Sequence, residues 1–551
     1  MADQTGEAAF VRRASGLVRE VSFSNAVFLA ISSGVGIAAF SISFVALYPT
    51  GFLWGLPIFV WALLVTAFTE FFFGLTYVFL AYLMPRSGGD YVATSRIFSP
   101  PWGYVEAITY AGSWIATGGL NYWWTIFTIA SMLRLGVLIP NGQALVAAGN
   151  WMTSTPGFVI VSIPFFIYFL WLFGFKPTST YLTVNAVAIL LSTVASVIML
   201  IWFVAINPST ATIQTNLLTA SGFNSTQAII NSAYSIGWTP GYSFAGLGAL
   251  MIFMVFAFLG YQNCFYVAGE IKGSASRATY WGIVTTILVL VFYYSIYWMP
   301  FAYRAGYDVV NAWGFLFWSF APNTPLGGPP NSASLLALAD PSLTPIAMIL
   351  GIVSMTLADM GIVYVAFVIG IRMIFAVSFD RLLPKWFASV NEKTSTPVKT
   401  TIVILLITYL TFIADVFGIN PASTLYWSVL LSLPAYIFPS VNILLLKRRR
   451  PDLFEIAPKK WVRKVLGLPA ISWVALLWLC FAVPMFGSFV FYPMITTAAT
   501  SSSILSFASS SGVALGIAVF LLAGAGYYIA KWYNHRRGIE IELLFKAIPP
   551  E

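Results

Sequence analysis

The chain has 551 residues, of which 59% are hydrophobic and only 8% are charged, with a formal net charge of +9. Soluble domains carry about a quarter charged residues, so this composition excludes an ordinary soluble protein and indicates several membrane crossings of about 20 apolar residues each. The positive charges lie in short segments between the apolar stretches. That pattern is the topology signal of a helical membrane protein, and it argues against a nucleic-acid partner.

Twelve apolar segments, each long enough to cross a bilayer, are predicted along the chain. If the N-terminus is placed in the cytoplasm, nearly all Lys and Arg between the segments fall on the same side, and only Arg134 and Arg304 lie outside. The positive-inside rule therefore predicts a multi-pass protein of the cell (plasma) membrane with both termini in the cytoplasm. The spans are residues 24–47, 54–83, 103–133, 157–175, 181–206, 243–269, 278–301, 346–378, 399–417, 423–446, 468–491 and 505–532.

The first span contains Ile31-Ser32-Ser33-Gly34-Val35-Gly36 at mid-membrane depth. Glycine weakens a helix, and serine offers the backbone alternative hydrogen bonds. Irregular backbone at that depth persists only where it is buried in protein or lines a watery cavity. One interpretation is that helix 1 is broken here and that the break binds a ligand. The other is a face of small residues for close helix packing.

The sixth span carries a second stretch of this kind, Phe256-Ala257-Phe258-Leu259-Gly260-Tyr261-Gln262-Asn263. Spans 1 and 6 would be the first helices of two five-helix halves, spans 1–5 and 6–10. Interrupted segments at matching positions in two halves predict a transporter binding site between inverted repeats. This correspondence favours a broken helix over simple packing in span 1, and spans 11 and 12 fall outside the repeat.

The predicted organisation follows from these spans. A basic loop between spans 10 and 11 is interpreted as a topology determinant, with specific lipid recognition as the alternative. The parts are a cytoplasmic N-terminal segment (1–23), a first five-helix repeat (24–206), an extracellular loop (207–242), a second five-helix repeat (243–446), a basic cytoplasmic loop (447–467), helices 11 and 12 (468–532) and a cytoplasmic tail (533–551).

Four short stretches of the chain form recognisable motifs. They are Ser33-Gly34-Val35, Pro85-Arg86-Ser87-Gly88-Gly89-Asp90-Tyr91, Gly260 with Ala268-Gly269-Glu270-Ile271-Lys272, and Arg372 followed by Asp380-Arg381-Leu382-Leu383-Pro384-Lys385-Trp386-Phe387 and Pro397. Together they resemble the amino acid–polyamine–organocation transporter superfamily, because they occur in the family's order and each on the expected side of the membrane. The resemblance implies the all-α fold shared with bacterial leucine transporters, a 5+5 inverted repeat with two extra C-terminal helices here, and amino acids or related amines as substrates.

A broken helix can bind the two charges of an amino acid zwitterion with its own backbone. The free N–H groups that begin one half-helix face the carboxylate, and the carbonyls that end the other half face the ammonium. The break and the resemblance together predict the residues of the substrate site. Ser33, Gly34, Val35 and Gly36 would bind the carboxylate, and Ala30, Ile31, Ala257 and Phe258 the ammonium, while Gly260 and Tyr261 line the site and Phe256 covers it as an aromatic lid.

Asp359 in span 8 is the first candidate for a coupling residue. It precedes Asp380 by 21 residues, about 31 Å of helix, which places it near mid-depth, where a charge is costly. With Thr356 it would ligate sodium, or alone it would take up and release a proton. The alternative is a structural carboxylate bonded to neighbouring serines or to an arginine. Glu70 in span 2 is the second coupling candidate.

The predicted function is secondary active transport of amino acids by alternating access, in symport with H⁺ or Na⁺. Exchange of amino acids or amines is the alternative. An intramembrane enzyme would need clustered ionisable or metal-ligating residues at depth, whereas the chain has one histidine and two cysteines. No catalytic residue, metal site or cofactor is therefore predicted. The expected partners are a small-molecule substrate, the coupling ion and the lipid bilayer.

Overall fold

The computed structural model describes residues 17–38, 52–53, 56–238, 257–319, 321–391, 393–417, 421–496 and 510–549. Almost all of this chain is helical. Within the described ranges, strands are confined to two short antiparallel ribbons. These are β1 (Phe52–Leu53) with β2 (Leu56–Pro57), and β3 (Lys464–Val465) with β4 (Leu468–Pro469).

The α-helices in chain order are α1 Phe23–Ala38, α2 Ile58–Leu83, α3 Asp90–Ile97, α4 Pro100–Arg134, α5 Gln143–Met152, α6 Thr155–Phe175, α7 Thr178–Ile206, α8 Thr210–Ser221, α9 Thr226–Ser235, α10 Ala275–Val291, α11 Met299–Ala305, α12 Tyr307–Trp318, α13 Ser332–Ala339, α14 Thr344–Gly351, α15 Leu357–Phe379, α16 Val398–Phe417, α17 Pro421–Arg449, α18 Pro451–Glu455, α19 Lys459–Val462, α20 Ala470–Thr496 and α21 Ser510–His535. Short 3₁₀ helices include Asn263–Glu270 and Ile541–Lys546, and π-helical turns occupy Phe292–Tyr297 and Ile352–Thr356.

Eight helical segments among the described residues are long and apolar enough to cross a membrane. They correspond to predicted spans 2, 4, 5, 7, 8, 9, 10 and 11, while α4 and α21 are long helices at predicted spans 3 and 12. The eight segments are Phe59–Leu83, Thr155–Phe175, Thr178–Ile206, Ala275–Ala305, Pro341–Phe379, Val398–Phe417, Trp427–Arg449 and Ala470–Gly487.

The outward faces of these helices are apolar. Ile167 on α6 and Ile201 on α7 are 59% and 62% exposed, and Leu410 on α16 is 63% exposed. A soluble protein rarely presents such wide apolar surfaces to water. This surface therefore faces lipid, and the chain is a multi-pass membrane protein.

The centre of the bundle is formed by α4 and α15, which contact each other along much of their length. Small residues allow the helices around them to approach closely. A Cβ atom on Gly118 of α4 would lie 2.9 Å from the Thr408 side chain of α16 and 3.0 Å from Cβ of Ala366 on α15. Because α15 is buried in this way, its polar side chains lie deep in the protein.

The predicted break in helix 1 is wrong for the residues that the structure describes. α1 is continuous from Phe23 to Ala38 and therefore runs through the Ser-Ser-Gly stretch without interruption. The hydroxyl of Ser32 donates to the carbonyl of Phe28 at 2.6 Å, and that of Ser33 donates to the carbonyl of Ala30 at 2.9 Å. These serines bond back to their own helix, so they leave the helical backbone intact. The rest of span 1, residues 39–47, lies outside the described residues.

Close packing explains the small residues of α1 instead. A Cβ atom on Gly34 would lie 3.0 Å from the Leu290 side chain and 3.1 Å from that of Thr286, both on α10. A Cβ on Gly361 of α15 would lie 3.5 Å from Cβ of Ser32. Small side chains therefore let α1 lie tightly between α10 and α15, which is the second of the two interpretations of this stretch.

Three segments that contain many Lys and Arg residues lie at one end of the bundle, namely 84–99, 380–397 and 447–469. We call this end of the bundle the basic end. The C-terminal 3₁₀ helix Ile541–Lys546 folds onto this end. Phe545 is buried, with its ring 5.0 Å from the guanidinium of Arg96, and Arg86 donates from Nε to the carbonyl of Pro549 at 2.7 Å. The segment after the last helix is thus part of the folded protein.

Candidate substrate site

The sixth span is interrupted at Gly260, as its sequence predicts. Gly260 has a φ of +90°, and the chain makes turns from Phe258 to Gln262 before the 3₁₀ helix Asn263–Glu270. A Cβ atom on Gly260 would lie 2.6 Å from the indole of Trp114 and 2.5 Å from Nδ2 of Asn263. Both the backbone angle and the space require glycine here.

Three hydrogen bonds hold the interrupted segment against its neighbours. Tyr261 donates from its hydroxyl to the backbone carbonyl of Glu70 on α2 at 2.9 Å. Gln262 donates from Nε2 to the Tyr110 hydroxyl on α4 at 3.1 Å, and the Cys264 thiol donates to the carbonyl of Ala26 on α1 at 2.8 Å. Helices from three parts of the chain therefore surround the break.

Several buried polar groups around the break have no hydrogen-bond partner among the described residues. They are Oε1 of Gln262 and both side-chain amide atoms of Asn263. Buried polar groups in proteins are nearly always hydrogen-bonded, and those that are not mark places for a ligand or water. Asn263 is not among the predicted substrate residues, although its position three residues after Gly260 is a usable signal.

The predicted substrate residues fall into two groups. Ala257, Phe258 and Tyr261 are fully buried at the break itself. Ala30 is also buried, and it packs beside Cys264, since a Cβ atom on Gly282 of α10 would lie 3.1 Å from Cβ of Ala30 and 2.5 Å from the sulfur of Cys264. The structure thus brings the first half of α1 next to the interrupted segment.

The other group lies further along α1. Ser33, Gly34 and Val35 are buried within a regular helix, and Gly36 and the half-buried Ile31 belong to the same helix. Backbone N–H groups in a helix interior are already bonded to carbonyls four residues earlier. Donation from this stretch to a carboxylate would therefore require α1 to open. Phe256, the predicted lid, lies outside the described residues.

Asp359 lies deep in the protein on α15, next to α1. Its side chain is 1% exposed, and it accepts a hydrogen bond from the Thr128 hydroxyl of α4 at 3.2 Å. Among the described residues, no Lys or Arg forms an ion pair with it. The hydroxyl of Thr356, one turn earlier, is buried without a hydrogen-bond partner in the described part of the chain. The π-helical turn Ile352–Thr356 ends three residues before Asp359, and such turns are frequent at functional sites.

Ser32 connects α1 to two neighbouring helices at this depth. Its hydroxyl accepts a hydrogen bond from Nδ2 of Asn185 on α7 at 2.8 Å, and its Cβ faces Gly361 of α15, two residues after Asp359. Glu70 has different surroundings, because its backbone carbonyl is bonded to Tyr261 at the break. The two coupling candidates therefore have different neighbours, one beside α1 and α4 and the other beside the interrupted segment.

Two buried ion pairs lie near the basic end, one beside the end of the interrupted segment and one within the basic end itself. Arg372 of α15 donates to both carboxylate oxygens of Glu270, at 2.9 and 2.7 Å, and both side chains are at most 2% exposed. Arg96 of α3 pairs with Asp380 at 2.6 Å, and the hydroxyl of Tyr91 donates to the same carboxylate at 2.7 Å. Arg372 lies about two turns before the end of α15, but its side chain points into the protein instead of reaching solvent. The two ion pairs thus connect α15 to the interrupted segment and α3 to the segment that follows α15.

The N-terminal segment and the loop after α2 also bond to the interrupted segment. Val21 donates its N–H to the carbonyl of Glu270 at 2.9 Å and accepts from the N–H of Lys272 at 2.8 Å. Gly88, with a φ of +92°, donates its N–H to the carbonyl of Tyr266 at 3.1 Å. Backbone hydrogen bonds from two separate segments therefore hold the end of the interrupted helix in place.

Comparison with known families identifies the chain. A family profile described as amino acid permease matches residues 21–528, a range that contains the interrupted helix, Asp359 and both buried ion pairs. The chain belongs to the amino acid permease family. It is thus a membrane transport protein for amino acids, as the four motifs indicate. A search of characterised proteins returns no match.

The permease also buries a carboxyl group outside its spanning segments. Asp90 begins the short helix α3 and is fully buried, and it accepts hydrogen bonds from the hydroxyls of Tyr77, at 3.1 Å, and Tyr266. Burial raises the pKa of the Asp90 carboxyl from 3.8 to about 7, although the two hydrogen bonds act in the opposite direction. The carboxyl of Glu106 on α4 is a close neighbour and is buried as well.

We expect Asp90 to make the permease less stable as the pH rises. Between about pH 4 and pH 7 the folded protein binds more protons at this site than the unfolded chain, so the free energy of unfolding falls with increasing pH. Asp90→Asn should flatten this part of the profile and stabilise the protein above about pH 7. Thermal unfolding of the purified permease from acidic to neutral pH measures the effect. Asp452→Asn, an exposed aspartate, is the control, and an unchanged slope for Asp90→Asn would contradict the prediction.

Proposed function

We propose that this permease is a secondary active transporter that moves amino acids by alternating access in symport with H⁺ or Na⁺, exchange being the alternative. The observation that carries this proposal is the interruption at Gly260, which has buried polar groups without partners among the described residues beside it and two buried ion pairs between its end and the basic end or within that end. Non-helical backbone at membrane depth is tolerated where it lines a binding cavity. A site with one closed end is what alternating access requires.

The substrate is proposed to bind between the interrupted segment and α1. Ala257, Phe258, Gly260 and Tyr261 would contribute from the sixth span, with Phe256 as the lid. Ala30, Ile31, Ser33, Gly34, Val35 and Gly36 would contribute from α1 once that helix opens. The hydrogen bond from Cys264 to Ala26 supports this arrangement, because it keeps the two segments adjacent.

Coupling is proposed to depend on Asp359, with Thr356 as its partner and Glu70 as the second candidate. A buried carboxylate with a single hydrogen bond from Thr128 and no cation beside it among the described residues supports this role. Such a group is stabilised when it binds a proton or a sodium ion. The contact between α15 and α1 at Gly361 and Ser32 provides a path from Asp359 to the substrate site.

The proposed topology has twelve spans, a 5+5 inverted repeat in residues 24–206 and 243–446, and two further helices in 468–532. Both termini would be cytoplasmic, so that the basic end faces the cytoplasm. The clustering of the segments 84–99, 380–397 and 447–469 at one end of the bundle supports this orientation.

Uptake of labelled amino acids into proteoliposomes tests the proposed function. We expect accumulation against a gradient when either an inward proton gradient or an inward sodium gradient is imposed, and the effective gradient identifies the ion. Uptake that depends only on internal amino acid would establish exchange instead of symport. Failure to transport any amino acid or amine under every gradient would refute the proposal.

Asp359→Asn is expected to abolish gradient-driven accumulation, because the amide cannot bind the coupling ion as the carboxylate does. Exchange of internal for external substrate should persist, since the substrate site is left unchanged. The matched control is Asp308→Asn, which alters an exposed aspartate on α12. Accumulation at the unmodified level in Asp359→Asn would remove this residue from the coupling role.

A further inference from the structure

A cavity of about 840 Å³ opens on the flank of the bundle at the basic end. It lies between α2, the first turn of α10, α19 and the start of α20. None of the residues that line it belongs to the proposed substrate or coupling site. The cavity is therefore a separate feature, and it bears on the function of the basic loop that precedes α20.

The lining of the cavity combines apolar and cationic side chains. Leu75 and Val78 of α2 and Val474 of α20 form part of the apolar wall, and all three belong to segments that can span the membrane. The lining also carries Arg277 and Lys460, and it includes no Asp or Glu among the described residues. This combination matches a ligand with a negatively charged head and an apolar body.

Aromatic side chains mark the depth of the cavity in the membrane. Tyr82 and Tyr280 line it and are 50% and 37% exposed. Tyrosine and tryptophan concentrate at the level of the lipid headgroups, where one part of the ring is apolar and the other meets water. The mouth of the cavity therefore lies at the headgroup level of one leaflet.

The basic loop is folded against this cavity by specific contacts. The ring of Trp461 lies 5.9 Å from that of Phe79 on α2, and the ammonium of Lys460 lies 5.7 Å from the Trp461 ring. After α19 the chain forms the β3–β4 hairpin, and Trp473 donates from Nε1 to the carbonyl of Val465 at 2.7 Å. These contacts fix Lys460 at the cavity.

The second cation is fixed by the start of α10. Ser274 caps this helix by accepting a hydrogen bond from the N–H of Arg277 at 3.2 Å, which places Arg277 in the first turn. The positive end of the helix dipole adds to the charge there. In the described part of the chain, neither Arg277 nor Lys460 forms an ion pair with a carboxylate. Both charges are therefore available to a ligand.

We propose that this cavity binds one anionic phospholipid of the adjacent leaflet, with its phosphate between Arg277 and Lys460 and its acyl chains along α2 and α20. Anionic lipids are attracted to cations placed at the membrane surface. A free phosphate ion would leave the apolar lining uncovered. A zwitterionic lipid would bring a third cation next to Arg277 and Lys460, whereas an anionic lipid brings a net negative charge. The basic loop would then recognise lipid in addition to setting topology. This inference does not depend on the transport mechanism or the coupling ion.

Photo-crosslinking on the unmodified permease tests where the lipid binds. The full chain is reconstituted in nanodiscs of phosphatidylcholine with a trace of photoactivatable phosphatidylglycerol, and the labelled peptides are identified by mass spectrometry. We expect label in residues 274–280 and 458–474, removed by excess phosphatidylglycerol but not by phosphatidylcholine or inorganic phosphate. Label elsewhere only, or equal competition by phosphatidylcholine, overturns the proposal, and competition by inorganic phosphate shows an ion site instead.

A charge-matched pair of variants tests the role of the two cations. Arg277→Gln with Lys460→Gln should reduce the phosphatidylglycerol retained in native mass spectrometry about ten-fold or more. Lys459→Gln with Lys464→Gln removes the same charge from exposed positions of the loop that do not line the cavity, and should reduce retention less than about two-fold. An equal loss of retained phosphatidylglycerol in both variants would mean that the lipid is attracted by the overall charge of the loop, and it would overturn the proposed binding site. The crosslinking result remains decisive if either variant fails to fold.

Discussion

Arg372→Met is expected to lower the free energy of unfolding by about 3–5 kcal/mol, because it leaves the charge of Glu270 buried without its partner. In the unmodified protein Arg372 donates to both carboxylate oxygens of Glu270. Arg372 also donates a hydrogen bond to the hydroxyl of Thr178 at 2.7 Å. Ser87 donates to the same carboxylate at 3.2 Å, too weak a contact to replace a guanidinium. Chemical or thermal unfolding of the purified permease measures the loss.

The matched control for this change is an ion pair at the surface. Arg450 pairs with Asp452 at 2.6 Å, but Asp452 is 58% exposed, so Arg450→Met should cost no more than about 1 kcal/mol. The double variant Glu270→Gln with Arg372→Met should recover part of the lost stability, since no uncompensated charge remains. Equal stability of Arg372→Met and the unmodified protein would show that the buried pair does not hold the basic end closed.

Gly260→Ala is expected to abolish substrate binding and to reduce uptake by about ten-fold or more. A residue with a side chain at a φ of +90° costs about 1–3 kcal/mol in backbone strain. The new Cβ atom would also lie within 2.6 Å of Trp114 and Asn263, so that the break must deform. Uptake in proteoliposomes and thermal stabilisation by added amino acid measure the two effects.

Gly222 provides a control that separates backbone strain from the shape of the site. It has a φ of +75° at the end of α8, and a Cβ atom there would meet nothing within 4 Å. Gly222→Ala therefore carries similar strain without displacing any neighbour, and its uptake should remain near the unmodified level. Normal binding and uptake in Gly260→Ala would place the substrate site elsewhere in the bundle.

The two glycine-containing stretches show how far local sequence predicts structure. Both were expected to interrupt a helix, and only the stretch at Gly260 does so among the described residues. In α1 the serines bond to their own helix and Gly34 fits against Leu290 of α10. The same residue types therefore permit either a break or a close contact, and the neighbouring helix determines which one forms.

The ion pairs show a different limit of sequence analysis. Arg372 and Glu270 are 102 residues apart, and nothing in either motif indicates that they meet. Near the end of a span, a long cationic side chain can equally well reach water. Only the packing of α15 against the segment that follows the break buries both side chains and makes their pairing necessary.

The sequence by itself determined that this is a multi-pass helical membrane protein of a transporter family, and that the sixth span is interrupted at Gly260. The membrane crossings and the interruption depend on local composition, such as apolar length, the placement of cations and glycine in an apolar segment, whereas the family rests on the resemblance of four motifs and on the profile match. Only the tertiary structure decided that α1 is continuous through Ser33, which buried carboxylates face cations, and how the basic loop lies against α2. These features depend on which distant segments pack together. Packing decides which polar groups are buried, and a buried polar group needs a hydrogen-bond or ion-pair partner.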